Sequence, residues 1–135
     1  MMKRYLVDTS IWIEFFRGQS QVIKNRIIDL LAEDRIVICG IVVTELLLGA
    51  RGRKEIEFVK QRLCNLDYLE TNKEFFIFCG TLGNKIRHSG INIPPSDLMI
   101  AALGKLNNVV IFTTDKHFET IGKISGVQYE IIENF

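Results

Sequence analysis

Residues 5–12 read Tyr5-Leu6-Val7-Asp8-Thr9-Ser10-Ile11-Trp12. Three apolar residues without alternation suit a short strand covered on both faces. An acid closes the run. Ser10 then stands where a helix cap is wanted, and Ile11, Trp12, Phe15 and Phe16 recur at helical spacing until Gly18. The chain thus passes from buried strand to helix through one carboxylate. The same grammar returns at Ile36-Val37-Ile38-Cys39, ahead of a helix over 41–50, and at Val109-Val110-Ile111-Phe112. Between these lie helical periods over 21–33, 54–64 and 73–88, and a helix over 96–106 opened by Pro94-Pro95. Short strands are expected at 67–69 and 129–132, the last at an edge. Strands separated by helices need parallel crossovers, so the spacing predicts an α/β fold. Its three α/β/α layers would enclose a central, mostly parallel sheet of four to five strands.

The totals agree with a single domain over residues 1–135, of which 47% are hydrophobic. Charged residues are 24% and the formal net charge is +1, which speaks against disorder and against gripping nucleic acid by bulk charge. The three cysteines, Cys39, Cys64 and Cys79, form no CxxC pair and read as small buried residues in a reducing compartment. The apolar run before Asp8 is too short for a signal peptide, and no stretch approaches the roughly 20 apolar residues of a membrane span. A cytoplasmic protein is expected.

Most of the sixteen acidic residues fit a plain reading: Asp29, Glu33, Glu55, Glu57 and Glu74 as solvated charge on helices rich in Lys and Arg, and Asp34, Asp67 and Glu70 near element ends. Four do not. Asp8 and Asp115 each follow a buried strand, at the carboxyl rim where open parallel sheets bind ligands. Glu45 interrupts the apolar run Ile41-Val42-Val43-Thr44-Glu45-Leu46-Leu47-Leu48, so its carboxylate must be neutral, paired or metal-bound if buried. Asp97 occupies the first turn of the helix after Pro95, ahead of another apolar run. Each has a plain alternative: a helix cap for Asp8, a dipole-favoured acid for Asp97, a turn for Asp115, an ion pair to Arg for Glu45. Jointly they suggest converging carboxylates, whose repulsion a hard cation removes. Oxygen ligands suit Mg²⁺ or Mn²⁺, and such ions also take phosphate oxygens, which points to phosphodiester hydrolysis by a metal-activated water.

The motifs around these acids resemble those of PIN-domain ribonucleases, most closely the VapC-type toxins of toxin–antitoxin pairs. Asp8-Thr9-Ser10 is similar to the family's opening acid with following hydroxyls. Glu45-Leu46-Leu47-Leu48-Gly49 fits E-L-x-x-G, Asp97-Leu98-Met99-Ile100-Ala101-Ala102 fits D-x-x-I-A-A, and Thr113-Thr114-Asp115-Lys116-His117-Phe118 fits T-x-D-x-x-F. The resemblance spans essentially the whole chain. It implies Asp8, Glu45 and Asp97 as core acids around the metal, and Asp115 as a fourth acting through a second metal or a water. It implies Thr113 and Ser10 as hydroxyls orienting water or phosphate. It further implies an RNA substrate, a homodimer and a cognate antitoxin.

Arg51, Arg53 and Lys116 are candidate phosphate contacts, with ordinary solvated charge as the alternative. Three aromatics in five residues, Trp12, Phe15 and Phe16, exceed one helix stripe, so one exposed ring is expected as a partner contact. Two competing functions stand beside the nuclease. An aspartate-nucleophile phosphatase would use Asp8, although Ser10 holds the place of the second Asp that such enzymes carry. A non-catalytic RNA-binding or adaptor domain would need no intact acid set.

Overall fold

β1 (Tyr5–Val7) is buried along its whole length and takes partners on both sides. The computed structural model describes residues 2–133. After β1 come α1 (Thr9–Arg17), α2 (Gln21–Ala32), β2 (Ile36–Cys39), α3 (Gly40–Leu48), α4 (Arg53–Leu63) and β3 (Asp67–Leu69). The second half holds α5 (Lys73–His88), α6 (Pro95–Asn107), β4 (Val110–Thr113), α7 (His117–Ser125) and β5 (Tyr129–Ile131). All five strands join one parallel sheet in the order β3-β2-β1-β4-β5. Helices α1 to α4 pack among themselves, as do α5 to α7. Right-handed crossovers give this grouping, one set on each face of the sheet, hence three layers.

The strand order reverses direction beside β1. The chain winds outward through β2 to β3, then returns across the sheet to β4 and β5. Between β1 and β4 the connections leave in opposite directions, which opens a crevice at their carboxyl ends. Asp8 N–H donates to the Phe112 carbonyl at 2.8 Å, stitching the end of β1 to β4 at the floor of this crevice. The outer strand β5 is tied back through Glu130, which receives two hydrogen bonds from Arg26 of α2. That guanidinium also lies over the Tyr5 ring, 5.0 Å from its centroid.

α6 must lie close to the sheet for its first turn to reach the crevice. Small residues allow this: Ala101, Ala102 and Gly104 are buried. A Cβ on Gly104 would meet Ile111 Cδ1 at 2.7 Å and Val127 Cγ2 at 2.8 Å, so this glycine sets the helix–sheet distance.

Several local expectations need correction. The α1 cap is Asp8 rather than Ser10, because Thr9 already donates its N–H to Asp8 Oδ1 and Ser10 lies inside the helix. The β4 strand runs one residue later than expected and ends on the fully buried Thr113. Helix α7 was not expected at all. It is nine residues long, buries only Phe118, Ile121 and Gly122, and follows a turn-like Thr-Thr-Asp-Lys sequence that hides its period. Cys64 is exposed, whereas Cys39 and Cys79 are buried. No ring of α1 is exposed: Trp12 is in the core, and Phe15 and Phe16 are half-buried against it. Phe58 of α4 covers Phe16 edge-on, which the helix period of α1 alone could not reveal. Among the described residues, no helix is long and apolar enough to cross a membrane.

Candidate active site

Asp8 leaves the end of β1 as the cap of α1. Among the described residues it is the one buried acid, with 7% of its surface exposed. Three donors hold its carboxylate: Thr113 Oγ1 to Oδ2 at 2.7 Å, Thr9 N–H to Oδ1 at 2.8 Å, and Ser10 Oγ to Oδ2 at a long 3.4 Å. Burial pushes this carboxyl above its ordinary 3.8, and the charge of Glu45 adds to the rise. The hydrogen bonds from Thr113, Thr9 and Ser10 oppose both effects.

Thr113 therefore links two acids. Its hydroxyl donates to Asp8 and accepts the N–H of Asp115 at 3.0 Å. Asp115 in turn accepts the His117 N–H at 2.9 Å, and its Oδ1 lies 3.1 Å from His117 Nδ1. Ser10 accepts the Thr114 N–H at 3.3 Å, so the first turn of α1 is fastened to the turn after β4. Glu45 projects from the middle of α3 and accepts from Thr9 Oγ1 at 2.7 Å.

Asp97 differs from the other three. It lies in the first turn of α6 and, among the described residues, its carboxylate accepts no hydrogen bond. Burial and the charges of Asp115, Asp8 and Glu45 push it up to about 6, with His117 pulling slightly the other way. That charge coupling is the sign that the four acids share one crevice. They come from β1, α3, α6 and the turn after β4, parts of the chain joined only by the tertiary fold.

Glu45 is half-buried rather than buried, a correction to the reading of its apolar neighbours. An α3 turn hides Val42 and Leu46 but leaves Thr44 and Leu48 to solvent, Leu48 at 83% exposure. The residue missed by sequence reasoning is Thr9. Its only prior signal was a hydroxyl beside Asp8, and nothing local indicated that it would reach across to α3.

The resemblance implies a metal, and the donor set bears on which kind. Among the described residues, no three acid, imidazole or thiol groups close into a ready-made cage. Zn²⁺ favours His and Cys ligands, which the four acids do not supply. Mg²⁺ keeps several waters and needs only one or two carboxylates, so an open, all-carboxylate set fits it. No ion pair among the described residues neutralises Asp8, Glu45 or Asp97. Cys39 lies behind Asp8 and Glu45, but burial holds its thiol up at about 11, so it offers no thiolate. An unpaired, all-oxygen set of negative charge fits a hard divalent cation.

Of the basic candidates, Arg51 is 89% exposed and lines a cleft of about 320 Å³ that also touches Glu45. Arg53 opens α4 and is exposed outside that cleft. Lys116 pairs with Glu133 at 3.7 Å. A larger cavity of about 470 Å³ lies between α5 and the 91–93 turn and is lined by none of the four acids.

The model of the PIN domain family matches residues 5–124. The chain belongs to the PIN-domain family. Among the curated relatives of this PIN domain is "Ribonuclease VapC1" of Haemophilus influenzae strain R2866. It is 30% identical over 125 residues, covering 87% of this chain and 91% of the relative. Among solved structures, the PIN domain superposes on a chain of VapBC-1 from nontypeable Haemophilus influenzae. There the TM-score is 0.75 at 25% identity, covering 94% of this chain and 96% of the other. A chain of DNA-bound VapBC from Salmonella typhimurium shares the fold, with TM-score 0.81, 23% identity and coverage of 96% and 98%.

Proposed function

We propose that this PIN domain is a Mg²⁺-dependent endoribonuclease, the toxin of a type II toxin–antitoxin pair, with Mn²⁺ able to replace Mg²⁺. The observation that carries the reading is the charge coupling of four carboxylates from distant segments near the β1/β4 crevice, one of them pushed to about 6 and, among the described residues, without a hydrogen-bond partner. Its kinship with relatives named VapC ribonucleases supplies the substrate class. When bound, Mg²⁺ neutralises phosphate charge and lowers the pKa of a water that it carries. Asp8, Glu45 and Asp97 would hold the ion, with Asp115 as the fourth acid. Thr113 keeps Asp8 and Asp115 in register through one hydroxyl, and Ser10 holds the crevice edge. A nucleophilic role for Asp8 is disfavoured, since both of its oxygens already accept hydrogen bonds.

The partners follow from the surface. α5 exposes the large apolar side chains Phe76 and Ile77, which suits a second copy of the chain. The cleft beside Glu45 is walled by Ile13, Phe16 and Phe58, which suits an antitoxin segment reaching toward the acids. The free thiols Cys39, Cys64 and Cys79 suit a cytoplasmic location.

The deciding experiment is cleavage of single-stranded RNA with Mg²⁺ or Mn²⁺, with and without excess chelator. The products are expected to carry a 5′-phosphate and a 3′-hydroxyl, because an external water attacks and the ribose 2′-hydroxyl is not needed. Cyclic phosphate ends, or cleavage that persists in chelator, would overturn the reading. An intact fold that binds RNA without cutting it in any divalent metal would favour the adaptor alternative.

Arg51 is a phosphate contact in this reading, and Arg53 flanks it. Reversing the charge at both, by Arg51→Glu and Arg53→Glu, is expected to weaken RNA binding and flatten its salt dependence. Each lost phosphate contact removes about 0.7 from the log–log salt slope of single-stranded binding. An unchanged slope would exclude the pair.

A further inference from the structure

Thr9 is the first residue of α1 and touches two acids at once. Its N–H donates to Asp8 Oδ1 at 2.8 Å, and its hydroxyl donates to Glu45 Oε1 at 2.7 Å. The two carboxylates belong to β1's end and to α3, and among the described residues no backbone hydrogen bond joins those places. Glu45 has no other hydrogen-bond donor and no ion-pair partner among the described residues. It is half-exposed on a long, freely rotating side chain, and it repels the nearby Asp8 and Asp97. Left to itself, such a glutamate swings toward water. Threonine is a good clamp against that motion, because branching at Cβ restricts its first torsion in a helix.

We propose that Thr9 is a positioning residue whose hydroxyl holds the Glu45 carboxylate in the crevice alongside Asp8, so that both face one divalent cation. This rests on the metal-dependent nuclease reading above. The backbone N–H of Thr9 serves Asp8 whatever the side chain, so its hydroxyl acts through Glu45, and that sets it apart from a residue that merely stabilises α1.

The test compares Thr9→Val, which keeps the shape and removes the hydroxyl, with Thr9→Ser, which keeps the hydroxyl. Mn²⁺ binding to the RNA-free protein is read by electron paramagnetic resonance titration, and RNA cleavage is followed against metal concentration. Loss of the clamp is expected to weaken Mn²⁺ binding by about 10–100-fold, the range typical for losing an outer partner of a metal ligand. The metal needed for half-maximal cleavage should rise in step, with the KM for RNA unchanged at saturating metal. Thr9→Ser should restore both. In a Glu45→Gln background Thr9→Val should add nothing, since the two changes act on one interaction.

A folded Thr9→Val protein that binds Mn²⁺ like wild type would overturn the clamp. So would an effect of equal size with and without Glu45, which would mark Thr9 as structural. If Thr9→Val does not fold, the contrast of Thr9→Ala with Thr9→Ser decides the same point. Wild type that binds Mn²⁺ but cuts no RNA would overturn the nuclease reading and leave the clamp to be judged on binding. Wild type that binds no Mn²⁺ would overturn both.

Discussion

Asp8→Asn is expected to abolish RNA cleavage while leaving the protein folded. The loss should exceed the roughly 100-fold upper range seen when only an outer partner of a metal ligand is removed, because Asp8 is proposed as a ligand itself. The fold should survive for a specific reason. Asparagine keeps one side-chain oxygen to accept from Thr113 or from the Thr9 N–H, the two short hydrogen bonds of this buried site. It also removes a charge that burial disfavours. The variant should therefore melt, in chelator, no lower than wild type by circular dichroism. Expression of wild type should arrest bacterial growth, and expression of Asp8→Asn should not. Cleavage retained by a well-folded Asp8→Asn protein would remove Asp8, and with it the crevice, from the proposed chemistry.

Asp97→Asn should lose cleavage as completely, yet gain stability when metal is withheld. The sign follows from the proton balance. The Asp97 carboxyl sits at about 6 in the folded protein against an ordinary 3.8. Between those values the folded state holds a proton that the unfolded chain has released. Stability therefore falls as pH rises through this window, and the penalty is fully present above about 6. Asparagine carries no such penalty. At neutral pH in chelator the variant should be more stable by about 1–2 kcal/mol, allowing for solvent screening of a site open on one side. Near pH 4 the difference should vanish. Adding Mg²⁺ should then stabilise wild type and leave Asp97→Asn unmoved. Urea titrations at both pH values, with chelator and with Mg²⁺, measure all of these. A variant less stable than wild type at neutral pH would show that Asp97 is an ordinary helix-start acid. Such an acid is favoured by the helix dipole rather than repelled by its neighbours.

The gain in stability on removing Asp97 expresses a general trade. A site made of unpaired like charges is poor packing until its ligand arrives. Asp8 and Glu45 are each held by hydroxyl donors, which lowers that cost without neutralising the charge. Asp97 has no such donor, so nothing offsets its burial and the charges of its neighbours.

Much of this protein was legible in the sequence because the deciding signals are local. Continuous apolar runs of three or four residues mark strands buried on both faces, and helical spacing between them forces parallel crossovers. The chemical type of each acid, and its place beyond a strand or at a helix start, can also be read residue by residue. Helix α7 escaped because it carries only three large apolar residues, Phe118, Ile121 and Ile124, against five in the equally long α1. What only the tertiary structure decided was the state of each acid. Asp8 is buried because β4 lies beside β1, with a hydroxyl donor 105 residues away. Glu45 is half-exposed because a helix buries one face, whatever its neighbours in sequence. Asp97 is raised because the fold buries it and brings the charges of three other carboxylates to bear on it. Burial and charge coupling act through space, so no window of sequence contains them. The run Tyr5-Leu6-Val7-Asp8 announces a strand that ends in an acid, and the 3-2-1-4-5 sheet order places that acid in the crevice.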